Sequence, residues 1–132
     1  MRTNIQNEMK ELFGHSCLGY CYAYLAARTD DIRTLTKIFM NGWFDGYIMD
    51  DGYVKYSVDY LRNLGIPCRD ILKVQISQLS ELPKSGVYAV EYKNPHGGSH
   101  FVVADRSGVL FDPSYPSDSV KSGVILSYRK LV

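Results

Sequence analysis

Three short segments, one near the start of the chain and two in its last third, carry the residue types of thiol chemistry. Ser16-Cys17-Leu18-Gly19-Tyr20-Cys21 holds two thiols four residues apart. Ser99-His100-Phe101-Val102-Val103 holds an imidazole, and Phe111-Asp112-Pro113 a carboxylate. A thiol attacks well only as thiolate, which a helix N-terminus and a neighbouring imidazolium both favour. A histidine must reach the sulfur, and a third group must hold that histidine in the working tautomer. Cys17 would be the first residue inside a helix capped by the Ser16 hydroxyl. His100 would open a strand and Asp112 would close the next.

The turn between those strands decides whether His100 and Asp112 can meet. Asp105-Arg106-Ser107-Gly108 suits a type I turn followed by glycine in the left-handed region, which makes a three-residue hairpin loop with a bulge. Asp105 then faces Val109 and Val102 pairs with Asp112. His100 and Asp112 become diagonal neighbours on one face, within side-chain reach. A two-residue loop would send them to opposite faces.

The elements that must position these groups follow from hydrophobic spacing. A short helix is expected over 5–13, with Ile5, Met9 and Leu12 on one side and Gly14 ending it. Residues 18–28 are apolar almost all round, as in a buried central helix. Thr29 or Asp30 would cap a helix over 31–40 with Ile32, Leu35, Ile38 and Phe39 as its stripe. Residues 41–52 hold three glycines and read as a loop. A third helix is expected over 54–64, stopped by Gly65 and Pro67. Around 71–76 a strand is expected, and at 77–82 a helical turn. The last third alternates, with strands over 87–93, 100–105, 109–112 and 124–131 separated by turn chemistry, the longest turn being 113–123. Helices first and an antiparallel sheet second imply one α+β domain over 1–132.

A cysteine-led helix, then His-Phe-Val-Val on one strand and Asp-Pro after the next, resembles the papain-like cysteine peptidases, and most of all their compact C39-type members. The tail, with Asp112-Pro113, Ser117, Val120-Lys121, Gly123 and Ser127-Tyr128-Arg129, is also similar to small bacterial and phage proteins of the DUF261 type. The resemblance covers 16–28 and 87–112. It implies a papain-like fold, N-terminal helices packed on a C-terminal sheet, and a Cys-His-Asp triad acting on a peptide or protein amide. Such enzymes place a glutamine shortly before the cysteine as oxyanion donor, and here no glutamine lies between Gln6 and the cysteines. His15 is the nearest candidate donor, and Gln6 could serve only if the first helix folds back. Cys17 is the preferred nucleophile. Cys21 is the alternative, because that register sets His15 where the glutamine would stand.

Bulk composition narrows the partners. The 132 residues carry a formal net charge of +1 with both signs scattered. No basic stripe marks a nucleic-acid surface, and no apolar run is long enough to cross a bilayer. Residues 1–13 lack the apolar core of a secretory signal. Three cysteines, an odd number, suit free thiols in a cytoplasmic, reducing compartment better than a disulfide framework. No cofactor and no metal is expected, although Cys17, Cys21 and His15 could make a zinc site. Two further alternatives remain open. One is a peptidoglycan hydrolase of the CHAP or NlpC type, the other a catalytically inactive papain-like binding module such as a phage inhibitor. Asp112-Pro113 read alone is a turn signal, and Trp43 and Tyr47 read as either cleft-lining or core aromatics.

Overall fold

A computed structural model of the chain describes residues 13–114 and 118–132. The helix expected over 5–13, except Phe13, lies outside the described residues, as does Gln6.

Helix α1 (Cys17–Ala27) is the central one. Its Gly19, Tyr20, Cys21, Tyr22, Ala23 and Leu25 are buried, while Cys17, Leu18, Tyr24, Ala26 and Ala27 are partly exposed, so most but not all of its circumference is packed. Gly19 lets it approach the next helix, since a Cβ there would stand 2.8 Å from the Phe39 ring. Tyr20 stacks on that same ring at 4.9 Å between centroids, and its hydroxyl pairs with Thr36 Oγ1 at 2.9 Å.

Helix α2 (Ile32–Phe44) begins after Asp31, not Thr29 or Asp30, and runs four residues past the expected end. Gly42 was the misleading signal. It lies inside the helix as a packing residue, where a Cβ would meet the Tyr60 ring at 2.9 Å. Trp43 and Tyr47 pack against the core; Trp43 meets Phe13 edge-on and Tyr47 stacks on Tyr60. Helix α3 (Ser57–Asn63) is shorter than expected. Val54 pairs instead with Ile48 in an isolated bridge, and Tyr56 takes a left-handed backbone with φ 54°.

Five strands follow: β1 (Ile71–Gln75), β2 (Tyr88–Lys93), β3 (Ser99–Asp105), β4 (Gly108–Phe111) and β5 (Val124–Leu131). A 3-10 turn (Leu79–Glu81) separates β1 from β2. Within the long turn expected over 113–123, a short helix α4 (Asp118–Ser122) forms. The strands pair antiparallel throughout in the order β1-β5-β2-β3-β4. The α+β order is therefore as the sequence implies.

Phe101, Val103, Phe111, Ala89 and Leu131 pack with the helices into the larger core. Val90, Tyr92, Val102, Ala104 and Tyr128 join Ile76 and Leu82 in a second cluster. Alternate residues of β2 and β3 thus serve two cores. No helix among the described residues is long and apolar enough to cross a membrane.

Candidate active site

The hairpin between β3 and β4 corrects the expected turn. Asp105 pairs with Gly108, so the loop is two residues, Arg106-Ser107. The Asp105 carboxylate closes it by accepting from the Ser107 and Gly108 amides at 2.8 and 3.2 Å. Arg106 ties the tip down by donating to the Ser80 carbonyl at 2.7 Å through Nη2. Left alone, that loop would put His100 and Asp112 on opposite faces. A bulge restores the facing: Ala104 pairs with Val109 but Val103 with Phe111, which leaves Leu110 as the extra residue. Continued by one residue, this register sets Asp112 opposite Val102.

The two side chains meet. His100 Nε2 and Asp112 Oδ1 are 2.7 Å apart, with both residues buried. The same Oδ1 accepts from the Ser114 amide at 2.9 Å, so Asp112-Pro113 starts a turn and also holds the ring. Cys17, at the start of α1, interacts with the His100 ring and favours its charged form. Burial works against charge on the His100 ring, but the bond to Asp112 and the contact with Cys17 outweigh it. The ring is raised from 6.5 to about 9.

Cys21 lies one turn deeper in α1 and is wholly buried. Burial first, then the charges of Cys17 and Asp112, push its thiol well above the ordinary value. Cys17 is half-exposed. The structure thus brings Cys17, His100 and Asp112 into one row and leaves Cys21 behind it in the core.

Ser16 occupies the N-cap position, but its side chain makes no capping bond. Its backbone is helical, with φ −91° and ψ −5°, whereas a capping side chain needs the extended region. The first-turn amides of α1 are therefore not closed off by that hydroxyl. His15 is exposed. Its amide donates to the Asp51 carbonyl at 2.9 Å, and its ring stacks on Tyr53 at 4.3 Å between centroids. Gly52 permits the contact, because a Cβ there would stand 2.8 Å from the Phe13 carbonyl oxygen. The loop carrying Asp51, Gly52 and Tyr53 thus holds the chain that leads into Cys17.

Several participants escape sequence reasoning. Tyr92 pairs directly with His100 across β2 and β3. Burial, with the charge of Asp112 second, raises its phenol. Glu91, the residue before it, is buried and accepts from Ser99 Oγ at 3.0 Å and Ser127 Oγ at 2.8 Å. Lys73 and Arg129 complete its shell at 3.4 and 3.6 Å. Strand alternation alone could have flagged Tyr92, had the β2–β3 register been assigned. Nothing local flags Leu110 as a bulge.

Among the described residues no group of three or more His, Cys, Asp or Glu side chains could hold a metal ion. No family model, curated protein or solved structure matches the chain.

Proposed function

We propose that the chain is a papain-like thiol hydrolase that cleaves an amide or peptide bond, with Cys17 as nucleophile, His100 as base and acid, and Asp112 as the group that orients His100. The hydrogen-bonded His100–Asp112 pair, with Cys17 interacting with the same ring, carries this proposal. A ring with its pKa near 9 is an imidazolium at neutral pH. Its charge can balance a negative sulfur, as an activated thiol requires. Asp112 accepts from Nε2–H, which leaves Nδ1 to exchange a proton with sulfur and substrate.

Sγ of Cys17 attacks the carbonyl carbon and the π electrons move to oxygen. The oxyanion is met by the Cys17 amide at the head of α1, and His15 supplies the second donor. Stacking on Tyr53 holds the His15 ring in place. As the tetrahedral adduct collapses, His100 protonates the departing amine and a thioester remains. His100 then takes a proton from water, which attacks the thioester, and the carboxylic acid is released as the Cys17 sulfur departs as thiolate, restoring the thiolate–imidazolium pair. One oxyanion donor is typically worth roughly 10²–10³ in kcat, so His15→Ala should slow turnover by about that factor.

A broad peptidyl acyloxymethyl ketone tests the proposal. The expected result is one adduct, on Cys17, absent in Cys17→Ala and much slower in His100→Ala. Folded protein that leaves the ketone untouched would overturn it and favour a catalytically silent binding module. Clearing of a cell-wall suspension would redirect the substrate to peptidoglycan.

A further inference from the structure

A groove of about 420 Å³ starts at Leu18, the residue after the proposed nucleophile. It runs along α1 past Tyr22, with Tyr56 and Asp59 on the α3 side and Asp70 and Arg129 on the sheet side. Leu18 and Tyr22 are four residues apart and so lie in one row of the helix.

Three features describe what would fit. First, Tyr56 is 62% exposed although it lines the groove. Its left-handed backbone, φ 54° and ψ 60°, is strained for a tyrosine and keeps the ring at the rim. Second, that ring already carries a cation, since the Lys55 ammonium lies 5.0 Å from its centroid. Third, the charges lining the groove are unequal in availability. Arg129 is committed elsewhere: it donates to Ser127 Oγ at 2.9 Å, lies 3.6 Å from Glu91 Oε1, and covers the Phe101 ring at 4.9 Å. Asp59 and Asp70 are both exposed to solvent, with Asp70 spending one oxygen on the Ile71 amide.

We propose that this groove receives a lysine or arginine side chain of the polypeptide substrate close to the scissile bond. The aliphatic stem lies along Leu18 and Tyr22, and the charged head reaches Tyr56, Asp59 and Asp70 in place of Lys55. This rests on the thiol-hydrolase proposal above and supplies its substrate class.

Protection of Cys17 from iodoacetamide reads it out. Pentapeptides of the form acetyl-Gly-Gly-Xaa-Gly-Gly-amide, with Xaa lysine, arginine, norleucine or glutamate, are titrated against the alkylation rate of the full chain. Each protein is scored against its own rate without peptide. The lysine and arginine peptides should protect at roughly tenfold lower concentration than norleucine, and glutamate least of all. The double variant Asp59→Asn, Asp70→Asn should erase that difference. Tyr56→Asn, which suits the left-handed backbone but removes the ring, should shrink it several-fold. Equal protection by lysine and norleucine, or a preference that survives the double variant, overturns the groove assignment. Alkylation that ignores His100→Ala would instead overturn the hydrolase proposal, whatever the peptides do.

Discussion

Asp112 and Glu91 are both carboxylates buried in the sheet, 3% and 7% exposed, and they are held in different ways. Glu91 is surrounded by permanent partners. Burial opposes its charge, but Ser127, Ser99, Arg129 and Lys73 together hold its carboxyl below the ordinary value. Among the described residues its partners are two hydroxyls, an ammonium and a guanidinium, none of which changes charge near neutral pH. Asp112 is bonded to an imidazole that also touches a half-exposed thiol. The first arrangement braces a sheet. In the proposed mechanism the second keeps a movable proton between sulfur and carboxylate. What separates structural from functional burial here is whether a partner can change its charge.

Substitutions that cross the two sites can break that comparison. The largest rate effect is expected from Asp112→Asn, which retains shape but removes the charge that holds the His100 proton. Turnover of any substrate, or Cys17 alkylation in its absence, should fall by about 10²–10⁴ with little change in melting temperature. Deleting Leu110 should give a similar loss by another route. The bulge disappears, Asp112 turns to the opposite face, and the protein remains folded by circular dichroism. A Leu110 deletion with normal thiol reactivity would show that the facing does not depend on the bulge.

Glu91→Gln should do the reverse. Losing the charge strips Lys73 and Arg129 of their buried partner, for about 2 kcal/mol of stability in denaturant titration. Cys17 reactivity in the folded protein should change less than threefold. If Glu91→Gln slowed alkylation as much as Asp112→Asn, the division between brace and proton relay would be wrong.

The remaining effect is on stability against pH, and it leaves thiol reactivity aside. His100 is raised in the folded state from 6.5 to about 9, so the protein binds the ring proton more tightly than the unfolded chain does. That contribution is fully present below pH 6.5 and is lost as pH rises through about 9, for roughly 3 kcal/mol at most. Melting temperature should decline across that window in the wild type. In Asp112→Asn the decline should be shallower, and an equal slope would remove Asp112 as its cause.

Much of the architecture is legible because its signals are local. The apolar helix behind Cys17, the alternating strands and the helix-then-sheet order all come from period and turn residues within a short window. The errors have a common origin in tertiary contact. Gly42 looks like a break, yet Tyr60 packs where its side chain would be. Ser16 has the right identity for a cap, yet its backbone has the wrong conformation. The hairpin carries the sharpest case. The sequence implies one loop length and the structure has another, but the bulge at Leu110 leads to the same pairing beyond it. The His100–Asp112 contact was therefore reachable from sequence, and its cause was not. Glu91 and its partners span β1, β2, β3 and β5, so no window of sequence displays them together.

The central claim is that Cys17 is an activated thiol because His100 is beside it. Iodoacetamide alkylation at pH 7, resolved by site with mass spectrometry, tests it most directly. Cys17 should label first and at least tenfold faster than a free cysteine, with buried Cys21 and Cys68 labelling only on unfolding. His100→Ala should remove that advantage. A Cys17 that reacts no faster than a free thiol, with His100→Ala changing nothing, would contradict the account.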